Sequence, residues 1–145
     1  MLTGLAYLGI ESRSADAWPA FATEILGAAV GDTDPQGAVR IAVDDAPWRI
    51  EVTPADADQF SFVGWTIADE KDFAELASRL QAVGIAVRTS DDVLASQRRV
   101  NRIMWFEDPW GFRHEIVSGQ ESVPGSFRPG RALSGFVTGD QGLGH

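Results

Sequence analysis

Apolar positions along the chain follow two rhythms, and each rhythm occurs twice. Residues 4–12, Gly-Leu-Ala-Tyr-Leu-Gly-Ile-Glu-Ser, form an apolar strand-like run, and Phe60 to Ala68 form another. Behind the first run, Trp18, Phe21, Ala22 and Ile25 stand at i, i+3, i+4, i+7, the spacing of one helix face, and Gly27 supplies a stop. Behind the second, Asp69 is a good N-cap, Phe73, Leu76, Ala77 and Leu80 repeat the face, and Gly84 ends it. Shorter strands are predicted at about 28–32, 38–44 and 47–53 in the first half, the last two separated by the turn Asp44-Asp45-Ala46-Pro47. In the second half they fall at Ile85–Thr89, Arg102–Glu107 and Arg113–Ser118. Asp108-Pro109-Trp110-Gly111 reads as the turn of the last hairpin: proline presets φ and glycine frees the next position.

The two halves match position by position. Trp18, Phe21 and Ile25 map onto Phe73, Leu76 and Leu80 with an offset of 55. Gly27 and Val30 map onto Gly84 and Val87 with an offset of 57, and Asp44, Trp48, Arg49 and Glu51 onto Asp108, Phe112, Arg113 and Glu115 with an offset of 64. An offset that grows between elements is what insertions in connecting loops produce. The expected architecture is therefore α+β: two βαβββ modules, about 1–56 and 57–119, pairing into a curved mixed sheet with helices outside. One module alone leaves a sheet face open, and two side by side make a concave surface that can hold a ligand. Gly119, Pro124, Gly125, Pro129 and Gly130 then mark residues 120–134 as a linker.

Composition narrows the function classes. A net charge of −9 argues against nucleic acid, because phosphate binding needs clustered Lys and Arg. The nearest cluster, Arg98-Arg99-Val100-Asn101-Arg102, reads as a solvated loop. Cysteine is absent, so no disulfide framework or thiolate metal site is expected. No apolar run approaches the roughly 18 residues that a membrane span needs. Met1-Leu2-Thr3-Gly4 shows no signal pattern, and a cytoplasmic location is expected.

Several segments are similar to one family. Paired βαβββ modules resemble the vicinal oxygen chelate superfamily of glyoxalases, bleomycin-resistance proteins and extradiol dioxygenases. Gly4-Leu5-Ala6-Tyr7-Leu8-Gly9-Ile10, Ala46-Pro47-Trp48-Arg49-Ile50, Gly64-Trp65-Thr66-Ile67-Ala68-Asp69 and Asp108-Pro109-Trp110-Gly111 resemble the amino-terminal domain of the type I extradiol ring-cleavage dioxygenases, the dihydroxybiphenyl-cleaving kind. So do Phe127-Arg128-Pro129-Gly130 and the closing run from Ser134 to Gly144 and His145. The resemblance implies Fe(II) held by two histidines and a carboxylate, a catechol-type substrate, O2 as co-substrate, and a homo-oligomer. It also implies that residues 135–145 start a catalytic C-terminal domain, which the chain does not complete, with His145 as its first iron ligand.

The same resemblance places superfamily ligands on the first strand of each module and on the last strand. Those positions read Tyr7, Phe62 and Glu115 here, with Glu51 as the repeat mate of Glu115. Only a carboxylate survives, so residues 1–119 are expected to be a non-catalytic duplicate and the chain alone inactive. His114 adjoins Glu115 on a strand and points to the opposite face, which makes it structural or exposed. Trp18, Trp48, Trp65, Trp105 and Trp110 are expected in the core. A stand-alone, metal-free module that sequesters a small aromatic or a drug is the alternative, and a metalloenzyme assembled across a dimer is a third reading.

Overall fold

The structure is a computed structural model and describes residues 1–31, 34, 36–69, 71–89, 92–138 and 143. Among the described residues, eight strands form one mixed sheet: β1 (Leu2–Ser12), β2 (Ala29–Val30), β3 (Val39–Ala42), β4 (Ile50–Pro54), β5 (Gln59–Ile67), β6 (Arg88–Thr89), β7 (Arg102–Glu107) and β8 (Arg113–Ser118). Their order is β2-β3-β4-β1-β5-β8-β7-β6. Read outward from the centre, each half runs first, fourth, third, second strand of its module. In each module the first and last strands pair in parallel, β1 with β4 and β5 with β8. The modules join where β1 and β5 pair antiparallel. This is the paired βαβββ architecture that the repeat predicts.

Helices α1 (Trp18–Ala20) and α2 (Lys71–Ala82) cover one face of the sheet. Under the first module's helical segment, Ala22, Ile41, Val43 and Val52 form a buried cluster with Trp18 and Ile50 packed against it. Under α2, Phe73 meets Ile67, Met104 and Ile116. Helix α2 follows its predicted face. The first segment does not. It is entered by a 3-10 turn at Ala15–Ala17 and continues beyond α1 as a π-helical stretch, Phe21–Leu26. The wider i→i+5 turn rotates side chains off the i, i+3, i+4, i+7 face. Ala22 is buried there, but Ile25 is 60% exposed and Phe21 is exposed as well. Gly27 ends the segment in the left-handed region, φ +78°, as a C-terminal glycine should.

A helix that the periodicity did not predict, α3 (Asp92–Arg98), lies between β6 and β7. Its Ala95 and its Leu94 pack on the face away from α1 and α2, against Tyr7, Trp48, Phe62, Ile103 and Val117. The repeat offset grows from 57 to 64 across this connection, so α3 is the insertion that lengthens it.

The run expected as a linker is fastened along its length. Asp45 accepts the amides of Gly125 (2.7 Å) and Phe127 (2.9 Å) on its carboxylate, and its carbonyl takes the Val123 amide. Glu121 pairs with Arg99, and the Gly130 amide reaches the carbonyls of Gly27 and Ala28. A Cβ on Gly27 would stand 2.1 Å from the Leu133 side chain, so the strap lies directly on the helix end.

Candidate functional site

The centre of the inner face is built from repeat-related pairs. Gly9 on β1 faces Phe62 on β5, and Gly64 on β5 faces Tyr7 on β1. A Cβ on Gly9 would fall 2.2 Å from the Phe62 ring, and one on Gly64 would fall 2.3 Å from the Tyr7 ring. Each module therefore leaves a side chain out so that the other module's ring can lie down. The Tyr7 and Phe62 rings meet edge to face at 5.9 Å, and Trp48 lies 4.6 Å from Tyr7.

A bulge turns Tyr7 to this place. Leu5 faces Trp65 and Tyr7 faces Gly64, so Ala6 is the extra residue in β1. Its carbonyl accepts instead from Arg49 Nη1 at 2.8 Å. Arg49 is held in turn by Asp44 and by Gln120, the residue at the start of the strap.

The carboxylates come from the last strands. Glu51 on β4 and Glu115 on β8 are both buried, Glu115 completely. Buried carboxylates need cations or donors, and arginines supply them. Arg113 donates to Glu115 from Nε at 2.9 Å, and Arg40 donates to Glu51 from Nε at 3.0 Å. Arg98 reaches both: Nη1 to Glu51 at 3.1 Å, Nε to Glu115 at 2.9 Å and Nη2 to Glu115 at 3.2 Å. Its guanidinium lies 3.9 Å from the centre of the Phe62 ring. Burial alone would lower the pKa of Arg98. The hydrogen bond and charge of Glu115, with the charge of Glu51, more than offset that and raise it. The Tyr7 hydroxyl donates to Glu115 at 2.7 Å. Burial, then the Glu115 charge, push its pKa well above the ordinary phenol value, so Tyr7 stays protonated.

The structure thus brings together Tyr7, Phe62, Glu115 and Glu51, the positions that the family pattern indicates. It corrects the reading of Arg98. A solvated loop was expected, but the short helix α3 turns Arg98 inward, where two carboxylates compensate its desolvation. Arg40 was not singled out as a partner of these carboxylates. The usable signal was two glutamates at matched positions on central strands, each needing a counter-charge. Trp48 is buried as expected, but Trp110 is 88% exposed, because the tight turn at Gly111 (φ +82°) carries it off the sheet. Asp108 fixes that turn by accepting the Trp110 and Phe112 amides.

His114 points away from Glu115. It accepts from Trp65 Nε1 at 3.1 Å and stacks on Phe106, a structural setting. His145 lies outside the described residues.

The inner face does not fit iron. Phe62 has no donor atom, Tyr7 is held as a phenol, and both carboxylates are engaged by guanidinium groups. Among the described residues no group of three or more His, Asp or Glu side chains could hold a metal ion. No helix among them is long and apolar enough to cross a membrane.

Two βαβββ modules joined through their first strands, with repeat-related carboxylates on their last strands, define a vicinal oxygen chelate fold. Within that class, residues 5–54 match the family described as Dihydroxybiphenyl dioxygenase BphC D1. The chain is 39% identical over 145 residues to biphenyl-2,3-diol 1,2-dioxygenase of Paraburkholderia xenovorans (strain LB400), covering 99% of this chain and 48% of that protein. It is 39% identical over 143 residues to 1,2-dihydroxynaphthalene dioxygenase of Pseudomonas sp. (strain C18), covering 97% and 47%. The crystal structure of BphC, a halotolerant catechol dioxygenase, superposes with a TM-score of 0.96 at 39% identity, over 100% of this chain and 49% of that one. In sequence and fold the chain is similar to one half of these dioxygenases. It spans about half the length of the curated relatives it matches.

Proposed function

We propose that this chain is the N-terminal, non-catalytic domain of an Fe(II)-dependent extradiol dioxygenase that opens catechol-type rings, such as 2,3-dihydroxybiphenyl, with O2. The observation that carries this reading is the match of essentially the whole chain to about half of each relative. The filled inner face supports the non-catalytic part, since neither iron nor a catechol has a place among Tyr7, Phe62, Arg98 and the two glutamates. It also leaves no aromatic seat at that position for the alternative reading, a stand-alone drug-binding module. In the whole enzyme, iron on two histidines and a carboxylate would supply the redox chemistry, with His145 as the first of those ligands. Residues 120–134 would then link the halves, and 135–145 would lead into the catalytic one. A cytoplasmic homo-oligomer is the expected form.

The test is to incubate the purified chain with Fe(II), 2,3-dihydroxybiphenyl and oxygen, and to follow the yellow ring-fission product. None is expected above the metal-only background. The same chain joined to the second half of a biphenyl-2,3-diol dioxygenase should produce it. Turnover at an enzyme-like rate by the chain alone would sink the proposal.

A further inference from the structure

We propose that the inner face of this double module is a seat for one planar cation, filled from within the chain by the guanidinium of Arg98. The seat lies where repeat mates converge. Glu51 and Glu115 correspond across the modules, and so do Tyr7 and Phe62. Arg98 bonds to both carboxylates, at 3.1 Å to Glu51 and at 2.9 Å and 3.2 Å to Glu115. Phe62 offers its ring face at 3.9 Å. Arg98 has no counterpart in the first module, because α3 is the insertion that brings it.

The chemistry of the seat favours a flat monocation over a metal ion. A guanidinium presents in-plane donors to two carboxylates while its face rests on an aromatic ring. A divalent ion would lack ligand atoms on the Phe62 side. It would also meet the positive charges of Arg40 and Arg113, which already hold the outer edges of the same carboxylates. The inference concerns these residues alone and goes beyond the dioxygenase reading.

Chemical rescue tests it on the full chain. Arg98→Ala is expected to lower the melting temperature by several degrees. Methylguanidinium, at concentrations too low to denature, should restore it saturably. Methylammonium and Mn(II) should not, and wild type should respond to none of them. Adding Glu115→Gln to Arg98→Ala should abolish the rescue. An equal response to methylguanidinium and methylammonium overturns the proposal. So does stoichiometric Mn(II) uptake by wild type that Glu115→Gln removes. If Arg98→Ala does not fold, Arg98→Lys and Arg98→Met decide: the proposal requires the lysine variant to melt higher, and the reverse order overturns it.

Discussion

Glu115 accepts from Tyr7, Arg98 and Arg113 with no exposure to solvent. Substituting Glu115→Gln keeps the shape and removes the charge, which leaves two guanidinium groups short of a partner. Losing one member of a buried ion pair costs about 3–5 kcal/mol, against a total stability of about 5–15 kcal/mol for a domain. Urea unfolding should show that loss. Tyr7 gives a second test, because it is the only tyrosine. Its pKa is raised by burial and by Glu115, so the folded state holds the proton when the unfolded chain gives it up. That contribution is whole below the ordinary phenol pKa of about 10 and is lost as pH rises above it. An alkaline titration followed at the phenolate absorbance should therefore show no ionisation through the ordinary range, then one coincident with unfolding. A phenolate signal near the ordinary pKa, with the fold intact by circular dichroism, would contradict the Tyr7–Glu115 bond.

At the scale of elements, regular periodicity was legible and its exceptions were not. Helix α2 shows in the sequence because Phe73, Leu76, Ala77 and Leu80 keep a 3.6-residue rhythm, and β7 and β8 match their predicted bounds. The π-helical stretch has the same apolar spacing, yet its wider turn exposes Ile25. Spacing alone cannot report a change in residues per turn. Helix α3 escaped because it is short and carries Asp92, Ser96, Gln97 and Arg98 beside few apolar residues. Its one inward charge reads as a surface charge until the carboxylates facing it are known. The strap from Gly119 to Leu133 looks flexible by composition, but Asp45 ties it down. Amides of Phe127, then Gly125, lower the pKa of Asp45. A depressed carboxyl pKa supports the fold above the ordinary value of about 3.9 and loses that support as pH falls through the lower folded value. Carbon NMR of the Asp45 carboxyl should show titration below the ordinary range. Asp45→Asn should speed hydrogen exchange at Gly125 and Phe127 while β1 and β5 stay protected.

For the whole molecule, the two modules are legible as a repeat but not as separable bodies. Tyr7 lies over Gly64 and Phe62 over Gly9, so each half's core is completed by a ring from the other. A single denaturant transition is expected, identical by tryptophan fluorescence and circular dichroism. Residues 1–56 made alone should lack native circular dichroism and regain it on mixing with residues 57–145. An independently folded first module would refute this.

The position of Arg98 also bears on how far two related modules can stay alike. A group held between matched residues of two copies sits close to the axis that relates them. An object on such an axis can be contributed by only one side, because a second guanidinium from the other copy would have to occupy the same space. A duplicated module that adopts this device is therefore committed to divergence: one copy must carry the inserted helix and the other must do without it. Pairing two first modules would leave an empty seat between two carboxylates, and pairing two second modules would set two cations competing for one.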